Sequence, residues 1–155
     1  MAKSKYESKK GMYLLTNPQK YTGKKEDNNR IWYRSTWEQR CFYYMDHNEN
    51  VIEWSNESLT IPYLFKLDGE MHRYYPDIVC KMKTNNGIKK YIIEIKPYSQ
   101  TIAPNKPKNR SLQRKQKYEL ELATYIKNTC KWESAREYCK KEGSEFVILT
   151  ENEIF

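Results

Sequence analysis

The Asn-Asn-Gly turn at residues 85–87 joins two β-patterned segments, and their pairing constrains the fold more than any other feature. The first segment is HRYYPDIVCKM, residues 72–82, and the second is IKKYIIEIK, residues 88–96. An Asn- and Gly-containing turn between such segments predicts an antiparallel hairpin. In that hairpin, Asp77 and Glu94 lie at similar heights on neighbouring strands.

The second segment carries charges that a buried strand does not normally hold. In YIIEIKP, Glu94 and Lys96 point to the same face, about 7 Å apart, because strand side chains alternate. Such a pair is commonly an exposed ion pair that contributes little to the stability of the fold. If Asp77 shares the face, however, two carboxylates converge, and burying them is costly unless a cation neutralises them. Mg²⁺ prefers such oxygen ligands, so a metal site at Asp77 and Glu94 is predicted.

The other segments predict a mixed α/β domain, with one β-sheet flanked by helices over residues 31–155. A capping-box pattern begins a helix at residues 35–47. The remaining predicted elements are strands at 50–54 and 58–65, a long loop from 97, helices at 111–127 and 131–142, and a strand at 145–150. Residues 1–30 lack apolar periodicity and are interpreted as a basic extended or flexible arm.

The positive charge is concentrated in two stretches, residues 1–30 and residues 81–117. The chain has a net charge of +8, and residues 81–117 contain eleven Lys and Arg against one acid. Such a band is typical of a surface that binds a polyanion, although a solvated lysine-rich surface has the same composition. The residues predicted to contact nucleic-acid phosphates are Lys106, Lys108, Arg110, Arg114, Lys115 and Lys117.

Several classes of protein are disfavoured by the sequence. No apolar run approaches the roughly 18 residues of a membrane helix, and no apolar signal region begins the chain, so a soluble, non-secreted protein without a membrane partner is expected. Four cysteines without C-x-x-C spacing indicate reduced thiols. A ribonuclease site built from His47 and His72 requires both in one pocket and is the less favoured alternative.

The motifs together resemble the PD-(D/E)xK nucleases, the restriction-endonuclease-like superfamily. Pro76-Asp77 is followed by Glu94-Ile95-Lys96, each in an apolar strand, and the order of helix, strands, helix and strand is that of the superfamily core. The resemblance implies a metal-dependent endodeoxyribonuclease. The alternative left open is a non-catalytic DNA-binding virion assembly factor on the same fold.

Further segments extend this resemblance over residues 31–155. WEQRC, VIEW, TIPY and RYYPD are similar to transposon-encoded end-cleaving nucleases, and the layout, including WESAREYCKKEG and FVILTE, resembles the head completion nucleases of T-even-like tailed phages. That resemblance implies action after DNA packaging, in the virion or the host cytoplasm. The implied partners are DNA and phage capsid, portal or neck proteins.

The resemblance also implies roles for individual residues. Asp77 and Glu94 would bind Mg²⁺, with Mn²⁺ as a substitute and the Ile95 carbonyl as a further ligand. Lys96 would orient the attacking water and neutralise phosphate charge. Glu38 matches an additional catalytic acid of many members, but its spacing from Ser35 equally explains it as a helix cap.

Overall fold

The computed structural model describes residues 5–108 and 111–155. Within them the elements in chain order are β1 (Gly11–Leu14), β2 (Arg30–Tyr33), α1 (Thr36–His47), β3 (Val51–Asn56), β4 (Ile61–Phe65), β5 (Glu70–Tyr74), β6 (Ile78–Thr84), β7 (Gly87–Ile95), α2 (Leu112–Glu142), β8 (Glu145–Leu149) and α3 (Glu151–Ile154). Single 3₁₀ turns occur at Pro18–Lys20 and Tyr98–Gln100.

A four-stranded mixed sheet in the order β3-β6-β7-β8 forms the centre of the fold. β6 is antiparallel to both β3 and β7, whereas β8 is parallel to β7 and is reached through α2. Gly87, at φ +103°, supplies the left-handed backbone of the β6–β7 turn. The predicted hairpin and the predicted mixed α/β sheet flanked by helices are confirmed.

The helices cover both faces of this sheet. On one face, α1 packs Trp37, Phe42 and Met45 into the cluster that contains Trp54 and Ile78. On the other face, α2 contributes Cys130, Trp132 and Ala135 to a second cluster, together with Ile61, Tyr63 and Tyr74 of β4 and β5. The cysteines are free thiols, as predicted. No helix among the described residues is both long and apolar enough to cross a membrane.

The segment predicted as one strand over residues 72–82 is two strands. β5 ends at Tyr74 and β6 begins at Ile78, while β4 and β5 pair in a separate two-stranded sheet. Pro76 lies in the interruption, where its missing N–H and restricted backbone end the ladder. The interruption leaves Asp77 at the start of β6 rather than within a continuous strand.

The predicted arm over residues 1–30 is corrected for its described part. β1 and β2 pair as a hairpin, and the side chains of Tyr13, Leu15 and Tyr21 are buried in the core cluster of α1. The four-residue strands are too short to give a periodic pattern among the surrounding lysines, which explains the error. Residues 1–4 of the predicted arm lie outside the described residues.

Asp46 of α1 holds this N-terminal segment in place. Its carboxylate is fully buried and accepts hydrogen bonds from the Tyr13 hydroxyl (2.8 Å) and from the backbone N–H groups of Thr16 (2.7 Å) and Asn17 (2.8 Å). Three donors on one buried carboxylate make a strong, charge-assisted connection between α1 and residues 13–17.

The two predicted C-terminal helices form one continuous 31-residue helix, α2. The expected break falls at Asn128, Thr129 and Cys130, which have modest helix propensity. Asn128 and Cys130 are buried in the structure, so packing overrides the weak local preference. Gly143, at φ +71°, ends the helix as predicted.

Candidate active site

The predicted acids meet where β7 continues past the end of β6. Ile78 of β6 pairs with Ile93 of β7 at the end of the hairpin far from the turn. One residue beyond this pair, Asp77 precedes β6 and Glu94 continues β7, so the two acids lie opposite each other. The Asp77 carboxylate accepts a 2.7 Å hydrogen bond from the Ile95 backbone N–H, which fixes the side chain against β7. The β6–β7 register therefore determines the position of both acids.

A cavity of about 320 Å³ opens at this point. The acids that line it are Glu38, Glu57, Asp77 and Glu94. The cations that line it are Arg34, Arg73, Lys96 and Lys131. The predicted residues Glu38, Asp77, Glu94, Ile95 and Lys96 are thus brought together, although three separate elements or their flanks supply them.

Glu94 and Lys96 share one face of the strand, as the alternation predicts. The Lys96 ammonium lies 3.4 Å from Glu94 Oε1, and the two side chains are 24% and 7% exposed. The Tyr74 hydroxyl donates a 2.5 Å hydrogen bond to Glu94 Oε2. Glu94 is therefore a buried carboxylate held by one cation and one hydroxyl, unlike the exposed ion pair considered as its alternative.

Glu38 combines the two explanations that the sequence leaves open. Its backbone N–H donates to Ser35 Oγ (3.1 Å), which caps α1. Its carboxylate accepts from the Arg34 N–H at 2.5 Å, one residue earlier than the reciprocal bond of a capping box, and it also lines the cavity. The helix start thus holds Glu38 and directs its carboxylate toward Asp77.

Glu57 is a member of the cluster that the sequence analysis missed. One carboxylate oxygen from each of Glu38, Glu57 and Asp77 lies within 4.8 Å of the others. Glu57 follows β3 at φ +49°, a left-handed conformation unusual outside glycine, and its N–H donates to the Asp77 carbonyl at 3.1 Å. Arg34 forms a 3.1 Å ion pair with its carboxylate. Nothing in the local sequence SNES signals this position.

Burial and clustering raise the pKa of two of the cavity acids, Asp77 and Glu38. Burial, followed by the charges of Glu94 and Glu38, holds the pKa of Asp77 well above its usual range. Burial, followed by the charge of Glu57, also raises the pKa of Glu38. Carboxylates crowded in this way favour a multivalent cation, and an all-oxygen donor set suits a hard ion such as Mg²⁺.

The backbone of Ile95 adds an oxygen to this donor set. The N–H and C=O of one strand residue point to the same side, and the Ile95 N–H points to Asp77. β6 has ended at this level, so its ladder with β7 stops before Ile95. The Ile95 carbonyl therefore faces the acids, while its side chain is buried in the core.

Tyr74 and Lys131 are two further cavity residues that the sequence analysis did not select. Burial, followed by the charge of Glu94, raises the pKa of the Tyr74 hydroxyl, so it remains a proton donor to Glu94. Burial lowers the pKa of the Lys131 ammonium. Tyr74 ends β5, which the sequence predicts to continue into β6, and Lys131 lies in α2 just after the position where the sequence predicts a break between two helices. The sequence therefore does not place either residue near the acids.

The predicted phosphate-binding residues lie elsewhere. The described members, which are Lys106, Lys108, Arg114, Lys115 and Lys117, are exposed and do not line the cavity. Lys117 pairs with Glu121 at 3.7 Å. Arg110 lies outside the described residues. The cluster occupies the loop before α2 and its first turns, separate from the acids.

The two histidines do not form a common site. His47 lies beside Tyr43, with its Nδ1 2.9 Å from the Tyr43 carbonyl, and His72 lies 2.7 Å from Asp68. Neither lines the cavity that contains the acids. The geometry gives no support to the two-histidine alternative.

Comparison with known proteins assigns the fold family. The family described as TnsA-like endonuclease N terminal matches residues 48–151. The chain belongs to this family. The TnsA-like match contains Asp77, Glu94 and Lys96 and begins after Glu38. The head completion nuclease of Enterobacteria phage T4 is 37% identical over 142 residues, which cover 92% of this chain and 91% of the T4 protein. Both similarities are to nucleases, and they confirm the restriction-endonuclease-like fold predicted from the motifs.

Proposed function

We propose that the protein is a Mg²⁺-dependent DNA endonuclease that hydrolyses phosphodiester bonds. The observation that carries the proposal is the meeting of Glu38, Asp77, Glu94 and Lys96 in one cavity. A DNA-binding assembly factor without catalysis would not need three crowded carboxylates, with the pKa of Asp77 and of Glu38 raised, or strained backbone geometry nearby. These features are costly to stability and are typical of catalytic sites.

The metal would be held by the carboxylates of Asp77 and Glu94 and by the Ile95 carbonyl, with Mn²⁺ able to replace Mg²⁺. When bound, such an ion lowers the pKa of water and neutralises charge on the phosphate. Asp77 is positioned for this role by the Ile95 N–H, and Glu94 by the Tyr74 hydroxyl. Both carboxylates are thus ordered before any ligand binds.

Lys96 would orient the attacking water and stabilise negative charge on the scissile phosphate. In hydrolysis the water oxygen forms a bond to phosphorus, one phosphorus–oxygen ester bond breaks, and the leaving oxygen gains a proton. Lys96 lies beside Glu94 on the same strand face, so its ammonium reaches the same reacting centre. Glu38 would complete the acidic wall beside Asp77.

The predicted basic cluster, whose described members are exposed, would hold the DNA backbone outside the cavity. Lys106, Lys108, Arg110, Arg114, Lys115 and Lys117 would contact phosphates, which are the same at every base pair, so binding through them would be independent of sequence. The similarity to the T4 head completion nuclease supports a role in completing the phage head. We propose that the protein acts after DNA packaging, with capsid, portal or neck proteins as partners. The protein would then act in the virion or the host cytoplasm.

Cleavage of plasmid DNA tests the proposed reaction. Protein stripped of metal with EDTA is expected to leave closed circular DNA intact, and added Mg²⁺ or Mn²⁺ is expected to restore nicking or linearisation. Glu94→Gln, prepared in parallel, keeps the shape of the side chain but loses its charge and should not cut. Equal cutting in EDTA, or by Glu94→Gln, would contradict the proposal.

Glu38→Gln separates capping from catalysis. The amide oxygen of Gln can still accept from the Arg34 N–H, and the Ser35 cap is unchanged, so the melting temperature should stay within about 4 °C of wild type, roughly 1 kcal/mol. Loss of the negative charge beside Asp77 should slow cleavage at least ~10-fold, a barrier increase of about 1.4 kcal/mol. Thermal unfolding and initial cleavage rates measure both effects, and full activity in a stable variant would leave Glu38 as a cap alone.

A further inference from the structure

Lys131 enters the acidic cavity from α2, on the side of Tyr74 and Glu94. Its ammonium lies over the rings of Tyr74 (5.6 Å from the centroid) and Tyr63 (5.9 Å). These two tyrosines belong to β4 and β5, against which α2 packs. A long, flexible side chain is thus confined between two aromatic faces and its ammonium is kept at the cavity wall.

Among the cations of the cavity, Lys131 lacks the carboxylate partner that Lys96 and Arg34 have within the described residues. Lys96 pairs with Glu94 and Arg34 with Glu57. Arg73 is exposed to solvent.

Lys131 is partly buried, and within residues 5–108 and 111–155 its ammonium forms no hydrogen bond or ion pair. The charges of Glu94 and Asp77 act on this ammonium, but no described carboxylate forms an ion pair with it. A phosphate entering the cavity would supply that direct partner and offset the cost of burying the ammonium.

We propose that Lys131 is a further catalytic residue, which contacts a non-bridging oxygen of the scissile phosphate. This inference rests on the proposed nuclease function. Lys96 would reach the same phosphate from β7, so two cations from different elements would contact it on the Glu94 side of the cavity. Negative charge on the phosphate oxygens increases during hydrolysis, and a cation fixed before the reaction stabilises that charge most.

Lys131→Met tests the role of the charge, because Met keeps an unbranched side chain between the two rings. We expect kcat to fall by about 10²-fold, the typical cost of losing one charge-stabilising donor, with KM changed less than about threefold. The logarithmic salt dependence of binding to a short DNA duplex should lose about one unit of slope, since one phosphate contact is removed. Fluorescence anisotropy in Ca²⁺ measures this binding without cleavage.

Lys127→Met is the matched control. Lys127 lies one turn earlier on α2, and its ammonium lies over the Phe65 ring at 5.1 Å, but it is exposed and does not line the cavity. The same substitution there removes one positive charge and one cation–π contact from the same helix. We expect its cleavage rate and salt slope to match wild type. Lys131→Arg should recover much of the lost rate, which excludes misfolding as the cause.

The two readouts separate this inference from the proposed function. If wild-type protein cuts no DNA but Lys131→Met lowers the salt slope, the nuclease proposal fails while a phosphate contact by Lys131 is supported. If Lys131→Met cuts at the wild-type rate, or if it loses activity with an unchanged slope, Lys131 does not contact the scissile phosphate and the inference is overturned.

Discussion

Asp77→Asn is expected to lose DNA cleavage by at least ~10³-fold, a barrier increase of about 4 kcal/mol, while gaining stability in metal-free buffer. The amide oxygen of Asn can still accept the Ile95 N–H. Burial and the charges of Glu94 and Glu38 raise the pKa of Asp77, so the ionised carboxyl is disfavoured in the folded protein, and Asn removes that cost. A gain of about 1 kcal/mol would raise the melting temperature by roughly 2–4 °C. Initial cleavage rates and thermal unfolding in EDTA measure the two effects.

Asp68→Asn is the control for this substitution. Asp68 lies at the exposed turn between β4 and β5, outside the cavity, and its pKa is lowered chiefly by a hydrogen bond from the Glu70 N–H. Its neutralisation should leave cleavage unchanged and bring no gain in stability. If Asp77→Asn were instead less stable than wild type and equally active, Asp77 would serve only the stability of the fold, and its catalytic role would be contradicted.

Asp46→Ala is expected to destabilise the protein by about 3–5 kcal/mol, because three donors lose a buried, charged acceptor at once. The affected groups are the Tyr13 hydroxyl and the N–H groups of Thr16 and Asn17. The melting temperature should fall by roughly 10 °C. Hydrogen exchange should show residues 13–17 opening before the central sheet, because Asp46 connects them to α1.

Tyr13→Phe is the graded comparison for that prediction. It removes a single hydrogen bond to Asp46 and keeps the ring packed against Phe42, so a loss of about 1 kcal/mol is expected. If Asp46→Ala were no more destabilising than Tyr13→Phe, the N-terminal hairpin would not be anchored by Asp46, and residues 11–33 would behave as the arm that the composition suggested.

The β6–β7 hairpin and its acids could be predicted because their signals are local. The turn at residues 85–87 sets the register, and alternation along the strand places Glu94 and Lys96 on one face. Ser35 and Glu38 likewise predict the start of a helix, because an N-cap and its partner are only three positions apart in the sequence. These local features place the side chains of Glu38, Asp77, Glu94 and Lys96, and the order of the predicted elements gives the fold class.

The missed residues depend on contacts between distant segments. Glu57 reaches the site only because its N–H bonds to the Asp77 carbonyl, and Lys131 only because α2 continues unbroken past Cys130. The hairpin of residues 11–33 was hidden by strands of four residues and by many lysines. In each case long-range packing decided the structure, and local pattern carried no information about it.

Calorimetric titration of Mg²⁺ into metal-free protein tests the central claim, that Asp77 and Glu94 hold a catalytic metal. Wild type is expected to bind Mg²⁺ and to release protons on binding, since the ion displaces protons retained by the crowded carboxyls. Asp77→Asn, folded and titrated in parallel, should show binding weakened at least ~10-fold, about 1.4 kcal/mol. Equal Mg²⁺ affinity in the two proteins would contradict the account.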